Sequence, residues 1–246
     1  MDVGPNPGAE LRSVIRNLKE LLRADRDLGL EPPPVSPSSR VFAAGTGEGK
    51  GPVDETAGVR TLEELRAVLG ECRRCRLHEE RTHLVFGEGD PRADLVFVGE
   101  GPGRDEDRVG RPFVGESGGL LTRIIEAMGL TRDQVYICNV VKCHPPRNRD
   151  PREDEVGACT PFLRRQLDLI EPAVICVLGR VAGRALLGAD FSITRDRGRW
   201  FDYRGVRVMP VFHPAYLLRN PSAKRHAWED VQKIMKLLET GGRGDA

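Results

Sequence analysis

Three side chains in this 246-residue sequence are suited to gripping a planar polar ring. Asn139 carries a donor and an acceptor on one amide, which fits the edge of an imide or amide. His213, followed by Pro214, could act as a general acid or donate to a developing anion; a hydrogen-bonded loop histidine is the ordinary alternative. Phe113 stands alone among glycine, proline and charge in Gly110-Arg111-Pro112-Phe113-Val114-Gly115. There it could stack on a base or simply anchor the loop in the core. The same stretch opens with Gly99-Glu100-Gly101-Pro102-Gly103, which suggests a phosphate-binding turn. The G-x-G-x-x-G spacing is absent, however, and Asp105-Glu106-Asp107 would repel a pyrophosphate, so a dinucleotide site is not expected.

Six cysteines are present, and four of them form a candidate metal set: the Cys72-x-x-Cys75 pair, Cys143 and Cys159. Four thiolates can close a tetrahedral zinc site or hold an iron–sulfur cluster. The spacing matches neither a common zinc finger nor a ferredoxin run, and it does not name the metal. Cys143 and Cys159 flank His144-Pro145-Pro146-Arg147-Asn148-Arg149-Asp150-Pro151, a loop with little apolar material that a metal would pin. Cys138 and Cys176 fall inside apolar runs and read as buried thiols. In a reducing cytosol a disulfide framework is not expected.

These residues need a scaffold, and the hydrophobic pattern supplies one. Apolar strand candidates recur at Leu95 to Val98, Val135 to Val141, Ala173 to Leu178 and Val206 to Phe212. Helical periodicity separates them at Leu120 to Met128, Glu153 to Ile170, Val181 to Leu187 and Ala227 to Leu238. Such alternation predicts an α/β fold with a mainly parallel central sheet and helices on both faces. Trp200 to Val206 reads as a hairpin that adds one antiparallel edge pair. Ligand crevices in open α/β sheets lie outside the carboxyl ends of the strands. The glycine and acid stretch from Gly99 to Gly115, Asn139 and His213 all follow strand ends, so they converge on one edge. The stretch itself reads as a long loop.

Before this domain, Leu11, Val14, Ile15, Leu18, Leu21 and Leu22 recur at helical spacing, predicting an amphipathic helix in residues 1–30. It could pack on the main domain or dock a protein partner. Residues 31–60 are rich in Pro, Gly and Ser and read as a linker. The main domain is then expected over residues 61–240, with Thr61-x-x-Glu64 capping its first helix, and residues 241–246 as a tail. The formal net charge of +1 neither favours nor excludes a nucleic-acid partner. No apolar run reaches a membrane span and no secretory signal is evident, so a soluble cytoplasmic protein, monomeric, is expected.

Over about Thr61 to Leu238 the chain resembles the family 4 uracil-DNA glycosylases, the iron–sulfur type. The motifs carrying the resemblance are Cys72-x-x-Cys75, Gly99-Glu100-Gly101-Pro102-Gly103, Gly110-Arg111-Pro112-Phe113-Val114-Gly115, Asn139-Val140-Val141-Lys142-Cys143, Cys159 and His213-Pro214-Ala215, in the family's order. The resemblance implies a three-layer α/β/α fold and hydrolysis of the N-glycosidic bond of a flipped deoxyuridine in DNA, which initiates base excision repair. It implies a structural [4Fe–4S] cluster on Cys72, Cys75, Cys143 and Cys159. Phe113 would stack on uracil, Asn139 would read it, and His213 would donate to its O2 atom. Gly99, Glu100 and Gly101 would line the pocket, and Leu217, Leu218 and Arg219 would fill the vacated duplex position. Glu100, Glu106 and Asn139 are the candidates for placing the water, and the loop around Glu106 could reject thymine. A DNA-cross-linking relative carries a basic insertion with a histidine in the first loop; Asp107-Arg108-Val109-Gly110-Arg111 has neither. The competing reading is a non-catalytic uracil-DNA-binding or polymerase-associated subunit.

Overall fold

The computed structural model describes residues 55–241. The expected N-terminal helix and most of the linker lie outside the described residues. Six strands form one sheet in the order β1-β3-β2-β4-β6-β5: β1 (Glu88–Gly89), β2 (Leu95–Gly99), β3 (Tyr136–Asn139), β4 (Val174–Leu178), β5 (Phe201–Tyr203) and β6 (Val206–Val211). The four central strands run parallel. Both edges are antiparallel: β1 pairs with β3 and β5 with β6. The hairpin between β5 and β6 is closed by Arg204 and Gly205, both at positive φ (55° and 85°), the twist-matched turn of a two-residue hairpin. The second antiparallel edge was not expected, because a two-residue strand carries no periodicity.

Eight α-helices complete the described fold: α1 (Leu62–Leu69), α2 (Arg104–Val109), α3 (Glu116–Ala127), α4 (Glu153–Ile170), α5 (Gly179–Leu187), α6 (Ile193–Asp196), α7 (Pro214–Arg219) and α8 (Lys224–Glu239). Side chains along β2 alternate between two cores, as a strand covered on both faces requires. Leu95 and Phe97 join Leu121 and Ile125 of α3 and Val231 and Ile234 of α8. Val96 and Val98 join Leu163, Leu167 and Ile170 of α4 and Ala182 and Leu186 of α5. The result is three layers. No helix among the described residues is long and apolar enough to cross a membrane.

Two expectations change here. The stretch after β2 contains a helix, α2, where a loop was expected. Gly103 and Gly110 bound it, Gly110 at φ 78°, and Asp105, Glu106 and Asp107 occupy its first turn, where the helix dipole favours negative charge. The folded domain also begins before Thr61. Val59 is buried against Leu65, Leu69, Leu84 and Phe162, its carbonyl accepts from Arg165, and Glu55 pairs with Arg74. The last residues of the expected linker are therefore core. The expected cap does form: the Thr61 hydroxyl accepts from the Glu64 amide at 3.1 Å. Truncating Val59 to Ala is expected to cost about 1–2 kcal/mol in urea denaturation, where a linker residue would show none.

Candidate active site

The parallel strands follow the order β3-β2-β4-β6, so the connection out of β2 turns one way and the later strands are laid down on its other side. Such a switch point opens a crevice at the carboxyl ends of the strands. Gly99 ends β2, and it stands in register with Asn139 at the end of β3. A Cβ built on Gly99 would lie 2.4 Å from Asn139 Oδ1 and 2.5 Å from Phe113 Cζ, so the amide and the ring both press on this glycine. The Phe113 ring lies 5.7 Å from the His213 imidazole, tilted by 32°. His213 follows β6 and packs over Gly179, whose φ of 89° begins α5. The ring, amide and imidazole, far apart in sequence, are thus gathered at one rim of the sheet.

The electrostatics of each group are defined. Asn139 is 1 % exposed, and its Oδ1 has no hydrogen-bond partner among the described residues. A buried acceptor left open is costly unless something fills it. The imidazole of His213 accepts on Nδ1 from the Ala215 amide at 3.2 Å, which leaves Nε2 carrying the proton. Burial and the charge of Arg219 push its pKa down to about 4, so the ring is neutral at pH 7. Glu100 is pushed up to about 7 by burial and by the neighbouring Asp150, against the pull of Arg180. Arg180 in turn pairs with Asp150.

Two candidates are placed differently from expectation. Glu106 is buried, and its Oε1 accepts from the amides of Val114 and Gly115 at 2.8 and 2.9 Å. One oxygen of this candidate is thus committed to backbone, a contact the sequence did not suggest, and Oε2 takes no part in these two bonds. Leu217 is 1 % exposed and belongs to the core beneath α3, so it cannot enter a duplex. One turn of helix explains this: Pro214 and Leu217 share the inward face of α7, while Tyr216 and Arg219 share the outward one. Tyr216 is 38 % exposed and stacks on Phe212 at 4.8 Å, and Leu218 is half-buried. The sequence reasoning passed over Tyr216, although the i, i+3 spacing from the buried positions marks it.

Sequence reasoning also gave no role to Lys142. It is fully buried at the pocket's back, and its Nζ donates to the Asn139 carbonyl at 2.7 Å and to Gln166 Oε1 at 2.5 Å. Gln166 passes the network on to the Phe86 carbonyl and the Tyr136 hydroxyl. The strand end that presents Asn139 is held from behind.

The four cysteines lie beside this pocket. Cys72 and Cys75 follow α1, Cys143 follows β3, and Cys159 sits on α4, which packs on α1. Arg74 donates to Cys72 Sγ and Arg81 to Cys143 Sγ, each at 3.2 Å. Burial pushes the Cys143 thiol up to about 11 and the Cys159 thiol up to about 12; Cys72 and Cys75 add to the first, Cys143 and Cys75 to the second. Among the described residues no group of three or more Cys, His, Asp or Glu side chains stands close enough to hold a single metal ion. The proline-rich loop between Cys143 and Cys159 is braced by Arg149, which donates to both oxygens of the buried Glu155 carboxylate at 2.8 and 2.7 Å.

Residues 86–232 match the family model of the uracil DNA glycosylase superfamily. The chain belongs to this family. A type-4 uracil-DNA glycosylase of Sulfurisphaera tokodaii is 47% identical over 192 residues, covering 74% of this chain and 87% of that protein. One of Thermotoga maritima is 46% identical over 190 residues, covering 74% and 99%, and one of Archaeoglobus fulgidus is 42% identical over 187, covering 73% and 94%. The crowding at Gly99 gives a direct check. Gly99→Ala must displace either Asn139 or Phe113, and a misplacement of about 1 Å is expected to lower single-turnover uracil release by roughly 10²-fold. Circular dichroism should still show a folded protein.

Proposed function

We propose that this chain is a monofunctional uracil-DNA glycosylase that hydrolyses the bond between C1′ of a flipped-out deoxyuridine and N1 of uracil, initiating base excision repair. The observation that carries the reading is the open Asn139 acceptor beside the Phe113 ring and the neutral His213. An imide N–H fills that acceptor, as uracil N3–H would, while Asn139 Nδ2 donates to O4. Phe113 stacks on the base. As the glycosidic electrons pass to uracil, its O2 becomes anionic, and His213 Nε2–H donates to it without ever being charged. Gly99 and Gly101 line the pocket. Glu100 orients the water: its carboxylate takes one proton as the oxygen bonds to C1′ of the cationic sugar. The outward face of α7, Tyr216 and Arg219 with half-buried Leu218, meets the opened duplex.

Cys72, Cys75, Cys143 and Cys159 would hold a [4Fe–4S] cluster. The donor set fits: the four cysteines come from the segment after α1, the end of β3 and α4, and two arginines already donate to their sulfurs, as they would to thiolates. Such a cluster would supply structure, the four cysteines tying α1, α4 and the end of β3 together. By the same reading the protein is cytoplasmic and monomeric, and the apolar face of its N-terminal helix is the candidate for docking a protein partner.

Purified protein is expected to release free uracil from a uracil-containing oligonucleotide and leave an alkali-labile site. Stoichiometric enzyme giving no strand scission on alkali treatment rejects the reading, and uracil-DNA binding without release favours the non-catalytic subunit. Asn139→Ala and His213→Ala should each lower the rate by roughly 10²–10³-fold. Because Glu100 must lose its proton to act, the rate should rise with pH through about 7. Glu100→Gln should be slower and lose that limb. Isolated protein should be brown and contain iron and acid-labile sulfide; bound zinc in a colourless protein overturns the cluster assignment.

A further inference from the structure

Phe113 holds its ring in place with a backbone that a phenylalanine rarely adopts. Its φ is 51°, in the left-handed region, and its side chain is buried. Such a residue is strained, and the conformation persists only where its surroundings over-determine it. The surroundings here do so from both sides. Behind the ring, Arg132 donates through Nη2 to the Pro112 carbonyl at 2.8 Å and through Nη1 to the Phe113 carbonyl at 3.2 Å. Ahead of it, the Glu106 carboxylate gathers the Val114 and Gly115 amides. Gly118 of α3 closes the remaining side, where a Cβ would lie 2.0 Å from the Phe113 carbonyl carbon.

Arg132 is itself fixed. Its Nη2 and Nε reach Glu88 Oε1 at 2.5 and 3.1 Å, and Nη1 reaches Thr122 Oγ1 at 3.1 Å. Glu88 is held by Arg111 as well, at 2.7 Å. A planar guanidinium with several donors in a fixed fork can grip two successive carbonyls and a carboxylate at once, which a lysine cannot. It lies in the short turn between α3 and β3, outside every motif that marks the pocket.

We infer that Arg132 is a positioning residue for base stacking: anchored on Glu88, it holds the strained Pro112–Phe113 backbone so that the ring stands between Gly99 and His213. The inference rests on the reading of Phe113 as the ring that stacks on uracil. It makes Glu106 the counterpart of Arg132, a holder of backbone amides on the other side of the ring.

A double-mutant cycle on single-turnover uracil release tests this with the full chain. Arg132→Met is expected to slow release roughly 10- to 100-fold. In a Phe113→Ala background the same substitution should change the rate by no more than about twofold, because the ring through which Arg132 acts is already gone. If the two losses multiply, Arg132 acts elsewhere and the inference is overturned. Wild-type protein that releases no uracil would instead overturn the underlying reading, so the two failures are distinguishable. Should Arg132→Met fail to fold, Arg132→Gln, which keeps a single amide NH2 in place of the guanidinium fork, replaces it in the same cycle with the same two readings. On the other arm, Glu106→Gln keeps an acceptor for the two amides and should be roughly tenfold faster than Glu106→Ala. Equal rates for the two would overturn the backbone-holding role.

Discussion

Everything in the pocket depends on the missing side chain of Gly99. The strand that leads to it is buried on both faces, so its end is fixed by two cores at once. That fixed end is a flat place, and the Asn139 amide and the Phe113 ring have both moved into it. Neither group has room to retreat from the other. The amide comes from the neighbouring parallel strand in register, and the ring comes from a loop that must double back to reach it.

The surrounding polar groups maintain this crowding more than they perform chemistry. Lys142 secures the strand end under Asn139, Arg132 and Glu106 secure the loop under Phe113, and the Ala215 amide fixes the tautomer of His213. Each of the three gathered groups is therefore placed by a hydrogen bond to backbone. Preorganisation of this kind is where enzymes obtain most of their electrostatic advantage, because no dipole has to turn when charge develops.

Much of this was legible in the sequence, and the reasons differ by residue. Asn139, His213 and Gly99 could be found because each follows an apolar strand, and strand ends in a parallel sheet share one edge. Helix α2 was hidden because it is only six residues long and framed by glycine and proline, although its three acids are what a helix start prefers. Val59 was hidden by composition: one apolar residue at the end of a proline- and glycine-rich stretch gives no periodicity. Leu217 and Tyr216 were exchanged because adjacent residues on a helix face opposite ways, and only the burial of α7 decides which faces out. Arg132 left no signal at all, since it works on carbonyls 19 and 20 positions away and any residue type can supply a carbonyl.

Asp107 carries a consequence for how the cysteine-bearing segments and the pocket are joined. Its carboxylate accepts from the amides of Thr82 and His83, a few residues beyond Cys72 and Cys75, and on the far side His144, next to Cys143, reaches the Pro102 carbonyl. The segment bearing the first two cysteines and the segment bearing the third are thus both stitched to the loop that becomes the pocket. Cys159 lies only 16 residues beyond Cys143, whereas 68 residues separate Cys143 from Cys75, so the long-range closure is the one between the second and third cysteines. A disturbance at the cysteines is therefore carried, through Asp107 on one side and His144 on the other, straight to the rim where the ring and the amide meet.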